Sequence, residues 1–156
     1  MPKLLDIITH PNDILRKRSK SMKKSEINTK EFQKFFCDMK LTMKKKDGVG
    51  LAAPQIGKNI RVIVVSTNEG EIAMINPKIL KKSFKKEWGE EGCLSVPKTF
   101  GDVRRHKKIK FCFLNTEGME KLIEAEGFFA RVVQHEIDHL DGILFIDKAK
   151  SIKKIE

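Results

Sequence analysis

The sequence lacks most of the features that mark membrane, secreted or disulfide-stabilised proteins. It has three cysteines, one tryptophan and no tyrosine in 156 residues. No apolar run approaches the roughly 20 residues that a membrane-spanning helix needs. The first residues, MPKLLDIITHPND, lack the apolar segment and the cleavage site of a signal peptide. An odd number of cysteines at irregular spacing argues against a disulfide framework. We therefore expect a cytoplasmic protein with no membrane segment.

The overall composition is that of an ordinary globular chain. Hydrophobic residues make up 40% of the sequence and charged residues 34%. No repeat, low-complexity segment or Pro/Ser-rich linker divides the chain. A chain of this length has room for one hydrophobic core. We therefore expect residues 1–156 to form a single domain with a short C-terminal tail.

The net charge is strongly positive, at +11, from 32 Lys and Arg against 21 Asp and Glu. A polyanion such as RNA is one interpretation of this charge. The other is a lysine-rich, solvated surface. We favour the second, because the lysines are scattered and there is no Arg-rich stripe with interleaved stacking aromatics. No specific nucleic-acid site is expected.

Two helices are predicted in the first third of the chain. Asn12 can cap a short helix over residues 13–19, because its side chain accepts hydrogen bonds from the first free amide groups. Asn28 or Thr29 can cap a longer helix that carries apolar residues at helical spacing. This helix is predicted to end at Asp47-Gly48, where the glycine supplies the termination.

Strands are predicted in the middle of the chain, at residues 61–67, 72–77, 103–115 and 119–126. Pro77 is expected to stop the second of these, and the last two are predicted to form a hairpin. Residues 48–57 and 87–97 are predicted to be irregular. Residues 126–140 are predicted to form a third helix, and because it is apolar nearly all round we expect it to be buried. This order predicts an α+β fold of mostly antiparallel sheets packed around the third helix.

The segment HEIDH, residues 135–139, is the main chemical signal. Positions i and i+4 lie on one face of a helix, so His135 and His139 can bind one metal ion. Glu136 lies beside them, where a carboxylate can move a proton to and from the attacking water. A chance match is the alternative, but two imidazoles and a carboxylate on a buried helix need partners. We therefore predict a metal site.

A catalytic metal site needs three protein ligands and one open position. Downstream of His139 there is no further His or Cys. Upstream, Cys93 lies in a segment flanked by glycine, and its thiolate suits zinc or iron(II). From the residues alone, a role for Cys93 as core filler is equally acceptable. Cys37 and Cys112, in a helical and a strand pattern, are expected to be buried filler.

The segment GVGLAAPQIG, residues 48–57, combines two glycines with small residues, so a substrate backbone can approach it closely. Gln55 carries an amide N–H that can donate to an oxyanion. Taken alone, however, this segment favours a tight turn between a helix and a strand over a substrate site.

Together, GVGLAAPQIG, EGCLS and QHEIDHLDG occur in this order and resemble the three signature motifs of the peptide deformylases. The match runs from Gly48 to Asp147. This resemblance implies a hydrolase that removes the formyl group from the N-terminal formylmethionine of newly made proteins. It also implies one divalent metal ion, Fe(II) or Zn(II), bound by Cys93, His135 and His139.

The resemblance assigns further roles by motif position. Glu136 would take a proton from the attacking water and pass it to the leaving amine. Gln55 and the backbone N–H of Leu94 would stabilise the tetrahedral oxyanion. By the same resemblance, an apolar pocket for the methionine side chain would be lined by Val49, Phe128 and Val132. The substrate backbone would pair as an extended strand with the backbone of Gly50 and Gly92.

Three charged residues near the motifs carry weaker predictions. Asp138 lies beside the site on the helix, and Arg105 follows the Val-x-Arg pattern typical of the family, so we expect these two to pair. Glu91 precedes GCLS and would orient the loop or hold the substrate. A carboxylate that only solvates the loop is the alternative.

Formylated nascent peptides are the expected partners, and the protein is expected to be a monomer. Many members of the family continue into a long helix that docks on the ribosome. The basic tail here ends at Glu156, so we do not expect docking by such a helix, although the basic surface allows ribosome proximity. His10 and His106 are expected at the surface.

Three other functions compete with this interpretation. An HExxH peptidase that cuts internal bonds would need a third ligand after His139. A basic RNA-associated module with a structural zinc would need a fourth ligand. A deformylase-like protein that has lost activity would be expected to have a changed Glu136 or Gln55, and both residues are present.

Overall fold

The computed structural model describes all 156 residues and contains three α-helices and eight β-strands. The helices are α1 (Lys24–Ile27), α2 (Lys30–Lys45) and α3 (Phe128–Leu140). The strands are β1 (Gly50–Ala52), β2 (Val62–Thr67), β3 (Gly70–Lys82), β4 (Lys86–Cys93), β5 (Val96–His106), β6 (Lys108–Leu114), β7 (Glu120–Glu126) and β8 (Lys150–Lys154). Short 3-10 helices cover Asp13–Arg16, Ala53–Ile56 and Phe145–Asp147. None of the helices is long and apolar enough to span a membrane.

Both predicted N-terminal caps are confirmed. The Asn12 side chain accepts a hydrogen bond from the N–H of Ile14, although the helix that follows is a single 3-10 turn. Thr29 caps α2 by accepting from the N–H of Phe32. The predicted termination is wrong in one detail, because the left-handed residue is Asp47, with φ 57°. Gly48 instead donates its N–H to the carbonyl of Met43.

The larger sheet has five antiparallel strands in the order β1-β2-β3-β6-β7. The hairpin of β6 and β7 confirms the predicted pairing. The prediction that Pro77 stops this strand is wrong, because β3 continues past it to Lys82. The register shifts between Ile75 and Lys78, and Asn76 adopts φ 53°. The proline therefore lies at a bulge, where the ladder does not need its missing N–H.

The smaller sheet has three antiparallel strands in the order β4-β5-β8. The prediction that residues 87–97 are irregular is wrong, because they form most of β4 and the start of β5. The single strand predicted over 103–115 is also wrong, since the chain turns at Lys107 and passes from one sheet to the other. The short basic tail, for which the sequence predicted no element, pairs with β5 as β8.

The segment 48–57, predicted to be irregular, is partly regular. Gly50, Leu51 and Ala52 form β1 and pair with β2. A 3-10 turn follows and ends at Gly57, whose φ of 86° requires a residue without a side chain. Small residues here do not break the strand, because β1 is short and lies at the sheet edge.

Helix α3 is the centre of the fold, as predicted. Its apolar residues pack on one face of the five-stranded sheet, while α2 packs on the other face. Residues 62–65 of β2 are all fully buried, because the sheet is covered on both sides. Val96 and Val103 of the smaller sheet pack with Leu15, Leu144 and Phe145. The predicted α+β architecture is therefore confirmed.

The expectation that Cys37 and Cys112 are buried is wrong. Cys37 is exposed and Cys112 is half-buried. On α2, Phe36 and Met39 occupy the buried face, and Cys37 lies off it. On β6, Phe111 and Phe113 point into the core, so the side chain between them points to the other face.

Candidate active site

Helix α3 places two imidazoles beside one another. The rings of His135 and His139 have centroids 5.0 Å apart, and both residues are buried. The helix begins after Gly127, which has φ 68°, and is followed by Gly142, with φ 76°. The two glycines mark where the chain enters and leaves the helix, because each adopts a backbone conformation that an α-helix cannot contain.

Cys93, the last residue of β4, completes a three-residue cluster. Its Sγ lies 3.3 Å from Nε2 of His139. The ligand atoms of Cys93, His135 and His139 all lie within 4.8 Å of one another. A thiolate and two imidazoles at this spacing fit a divalent metal of the zinc and iron(II) type, with one position left for water or substrate.

Glu136 is buried against the cluster with an unused acceptor atom. Its Oε1 has no hydrogen-bond partner, and its Oε2 lies 4.0 Å from Nε2 of His135. Burial raises the pKa of Glu136 to about 7, although the charge of His135 opposes this. A carboxylate whose pKa lies near neutrality can both accept and return a proton. The orphan oxygen is the atom available to hold a water at the site.

Gly50 makes room for this carboxylate. A Cβ at Gly50 would lie 2.5 Å from Oε2 of Glu136. Strand β1 therefore runs so close to the carboxylate that no side chain fits between them. The glycine pattern of 48–50 thus has a steric reason in the structure as well as the predicted role of admitting a substrate.

Gln55 is held so that its amide N–H groups face the cluster. Its Oε1 accepts from the N–H of Ala52 at 2.9 Å. Its Nε2 donates to Oγ of Ser95 at 3.0 Å and to Sγ of Cys93 at 3.4 Å. The backbone acceptor fixes the amide orientation, so the donor end can reach a group bound beside Cys93.

Glu91 joins the cluster to a buried network of charges. Its Oε1 accepts from Nδ1 of His135 at 2.8 Å and from Arg105 at 2.9 Å, and its Oε2 accepts from Arg105 at 3.0 Å and from Arg131 at 2.7 Å. Burial would raise the pKa of Glu91, but the hydrogen bonds from His135 and Arg105 bring it far below 4.5. The alternative of a loop-solvating carboxylate is wrong, because Glu91 is buried. By accepting from Nδ1 of His135, Glu91 leaves Nε2 of that ring available to a metal ion.

The predicted pairing of Arg105 with Asp138 is confirmed. The two side chains meet at 2.5 Å, and Asp138 also accepts from Nζ of Lys148 at 3.0 Å. Arg105 is 4% exposed, so its two carboxylate partners are what make its burial acceptable. Burial lowers the pKa of Arg105, but the bonds to Glu91 and Asp138 raise it overall.

The two imidazoles differ in their electrostatic surroundings. Burial lowers the pKa of His139 well below 6.5. Burial also opposes a charge on His135, but hydrogen bonds to Cys93 and Glu91 raise its pKa to about 10. A metal ion takes only an unprotonated nitrogen. A protonated His135 would therefore have to give up the proton on Nε2 before that nitrogen could bind a metal ion.

A cleft of about 530 Å³ opens beside the cluster. Its walls are the free edges of β1 and β4, with α3 at its base. All of the residues predicted to contact substrate line it: Val49, Gly50, Glu91, Gly92, Phe128 and Val132. Phe128, expected to be buried, is 66% exposed because it lies at the mouth of the cleft.

Sequence reasoning missed six residues of the cleft wall: Asp47, Glu90, Pro97, Lys98, Phe100 and Arg131. Phe100 packs its ring where a Cβ of Gly92 would lie, at 2.8 Å. The side chain of Arg131, on α3, turns inward and is 12% exposed. A charged residue in a helix sequence usually indicates the solvent face, so nothing in the pattern marked it. His10 is exposed as expected, whereas His106 is half-buried against the carbonyl of Ser83; neither belongs to the cluster.

Comparison with known proteins places nearly the whole chain in one group. A family model described as polypeptide deformylase matches residues 4–155. A peptide deformylase of Desulforudis audaxviator is 43% identical over 152 residues, which cover 97% of each chain. Peptide deformylase 1 of Bacillus subtilis is 44% identical over 144 residues, covering 91% of this chain and 88% of the relative.

Solved structures give the same result. The peptide deformylase of Thermotoga maritima superimposes with a TM-score of 0.90 at 42% identity, covering 95% of this chain and 99% of that one. A class I type b peptide deformylase from Acinetobacter baumannii, crystallised with Met-Ala-Ser bound, superimposes with a TM-score of 0.89 at 36% identity. That match covers 94% of this chain and 99% of the other.

Proposed function

The chain belongs to the polypeptide deformylase family and removes the N-formyl group from nascent peptides; we propose that the reaction takes place at the cluster of Cys93, His135 and His139. One observation carries this proposal. The cluster lies at the base of a cleft whose two walls are unpaired strand edges. An extended peptide can therefore pair with the walls and present its N-terminus to the cluster.

The family implies a divalent metal, and we propose Fe(II) or Zn(II) held by Cys93, His135 and His139. The donor chemistry fits, since the set has one thiolate and two imidazoles with no fourth protein ligand. The metal, when bound, supplies a Lewis acid that activates the attacking water. Glu91 keeps His135 in the required tautomer by accepting the hydrogen on Nδ1.

Glu136 is proposed as the proton carrier. One carboxylate oxygen accepts a proton from the attacking water, and the same group then donates it to the α-amine as the C–N bond breaks. Gln55 Nε2 and the backbone N–H of Leu94 donate to the oxygen of the formyl carbonyl as it becomes negative. Glu136 lies on α3, Gln55 in the 3-10 turn after β1, and Leu94 in the turn between β4 and β5.

Substrate recognition is proposed to combine backbone pairing with one apolar pocket. The backbone groups of Gly50 on β1 and Gly92 on β4 border the cleft from opposite sides. Val49, Phe128 and Val132 supply apolar surface for the methionine side chain. The Met-Ala-Ser complex of the Acinetobacter baumannii relative supports a peptide beginning with methionine as the ligand of this cleft.

The remaining proposals concern the setting of the reaction. We propose that residues 1–156 act as one catalytic domain, as a monomer in the cytoplasm and close to the ribosome, where formylated chains emerge. The net charge of +11 supports proximity to RNA without a specific nucleic-acid site.

The experiment is release of formate from formyl-Met-Ala-Ser by anaerobically purified protein, with Glu136→Ala as the matched variant. We expect release by the wild type and none by the variant, while both retain metal. An inert wild type that holds metal through Cys93 would leave the metal site standing and remove the assignment of substrate. Cleavage of internal peptide bonds would instead favour the HExxH peptidase.

A further inference from the structure

Arg131 makes four contacts that tie α3 to the smaller sheet. Its guanidinium donates to the carbonyl oxygens of Glu87 at 2.8 Å and Val103 at 2.8 Å, with a longer contact to that of Gly89 at 3.5 Å. The fourth contact is to the Glu91 carboxylate at 2.7 Å. Three of the four acceptors are therefore backbone atoms of β4 and β5, so the side chain binds the strands themselves.

Gly89 provides the space for this guanidinium. Along β4, residues 86, 88 and 90 are exposed, whereas residues 87, 89 and 91 are more buried and lie on the side of α3. A Cβ at Gly89 would lie 2.8 Å from both Cζ and Nε of Arg131. An arginine on the helix and a missing side chain on the strand are thus sterically matched.

The other contacts of Glu91 show what Arg131 adds. Glu91 already has a bidentate bond from Arg105 and a bond from His135. The bond from Arg131 is therefore an additional one. The contacts to the carbonyls of residues 87, 89 and 103 reach the strand backbone directly. Gln134 binds the backbone of His106 at the end of β5, so Arg131 is the α3 side chain that holds the backbone of β4.

We propose that Arg131 is a positioning residue for peptide binding, which sets the free edge of β4 at the distance from the metal cluster that an extended substrate requires. The inference rests on the proposed function, because it assumes that β4 pairs with the peptide. Helix α3 carries His135 and Glu136, while β4 carries the opposite wall of the cleft. A side chain that links the two determines how far the peptide backbone lies from the reacting groups.

The test compares two substrates in Arg131→Met and Arg131→Lys. Formyl-Met-Ala-Ser can pair with β4 along its length, whereas formylmethionine alone has almost no backbone to pair. For Arg131→Met we expect KM for the tripeptide to rise about tenfold, the loss of one good hydrogen-bonding group, with a smaller change for formylmethionine. Arg131→Lys should recover part of this loss, because its ammonium can still reach one or two of the carbonyls.

Gly89→Ala tests the same contact without removing the arginine. The added methyl must displace the guanidinium, so KM for the tripeptide should rise in the same direction. Because both changes break one contact, the double variant should be no worse than the poorer single variant. Arg104→Met is the matched control, since Arg104 is exposed on the outer face of the same hairpin and should leave both substrates unaffected.

Two results would overturn the proposal. One is an equal loss on the two substrates, in kcat with KM unchanged, which would mean that Arg131 acts through Glu91 and His135. The other is a KM for the tripeptide that stays within about twofold of wild type in both Arg131→Met and Gly89→Ala, well below the expected loss. Release of formate by the wild type supports the proposed function in either case, so the two failures are distinguishable.

Discussion

Replacing Gly50 with alanine should greatly lower the catalytic rate while leaving the fold and the metal intact. The new methyl would lie 2.5 Å from Oε2 of Glu136 and 2.8 Å from Cδ and Cγ. Gly50 is not among the glycines with positive φ, so alanine is acceptable to the backbone. The strain therefore falls on the Glu136 side chain, which is buried and cannot move away into solvent.

The size of the effect follows from the overlap. An ordinary contact begins at 3.4 Å, so the carboxylate must move by about 1 Å, a misplacement that can cost about 100-fold in rate. This corresponds to about 2.7 kcal/mol in the activation free energy. The assay is formate release from formyl-Met-Ala-Ser over a range of substrate concentrations, with metal content measured on the same preparations. We expect the loss in kcat rather than in KM.

Gly48→Ala is the control, because its Cβ would approach the flexible end of Leu94 at 3.1 Å, and that side chain can move. It should cost less than Gly50→Ala. If Gly50→Ala retained metal and kept kcat within about twofold of wild type, a difference below 0.5 kcal/mol, the placement of Glu136 as the proton carrier would be refuted.

Three further predictions concern the metal and the buried charges. Cys93→Ala should lose the metal on dialysis, measured by elemental analysis, whereas an internal peptidase with another third ligand would retain it. Glu91→Gln should weaken metal binding by about 10- to 100-fold in a chelator competition and lower stability by about 3 kcal/mol, because it leaves Arg105 buried without its main partner; an unchanged affinity would contradict the role given to Glu91. In the metal-free protein, the folded pKa of Glu136 (about 7) lies above its ordinary value of 4.5. The contribution of this carboxyl group to the free energy of unfolding is therefore fully present below pH 4.5 and is lost as the pH rises through 7. Glu136→Gln should therefore gain up to about 3 kcal/mol over metal-free wild type at pH 8 and nothing at pH 4, and equal melting curves at pH 8 would count against this.

Local geometry explains which parts of the site could be predicted. His135 and His139 are four residues apart on a helix, and this spacing alone places both rings on one face. The predicted helix 126–140 depends on periodicity and capping, which are local properties. The adjacency of Cys93 to the pair could not be derived from spacing, because it depends on how β4 packs on α3. It was predicted from a resemblance that the family assignment now supports.

The errors in the strand predictions have a different origin. Residues 87–97 contain glycines and charges that disfavour a strand in isolation. Strand β4 nevertheless forms, because β5 pairs with it and Arg131 donates a hydrogen bond to the carbonyl of Glu87. Pro77 stays within β3 because a bulge absorbs it. Both outcomes depend on partners distant in sequence, and propensity is overridden by tertiary contacts in such cases. The inward-turned Arg131 was missed for the same reason.

Strand β8 has a consequence for self-association. A three-stranded sheet has two outer edges, and each is a template on which another chain can add. Here Thr99, Phe100 and Asp102 of β5 pair with β8, so the far edge of the sheet is β8 itself, a lysine-rich segment. The near edge, on β4, stays open beside the cleft. The two edges therefore differ for an incoming chain: β4 lies open at the cleft, whereas β8 carries Lys150, Lys153 and Lys154, whose charges disfavour the addition of a second copy of the protein.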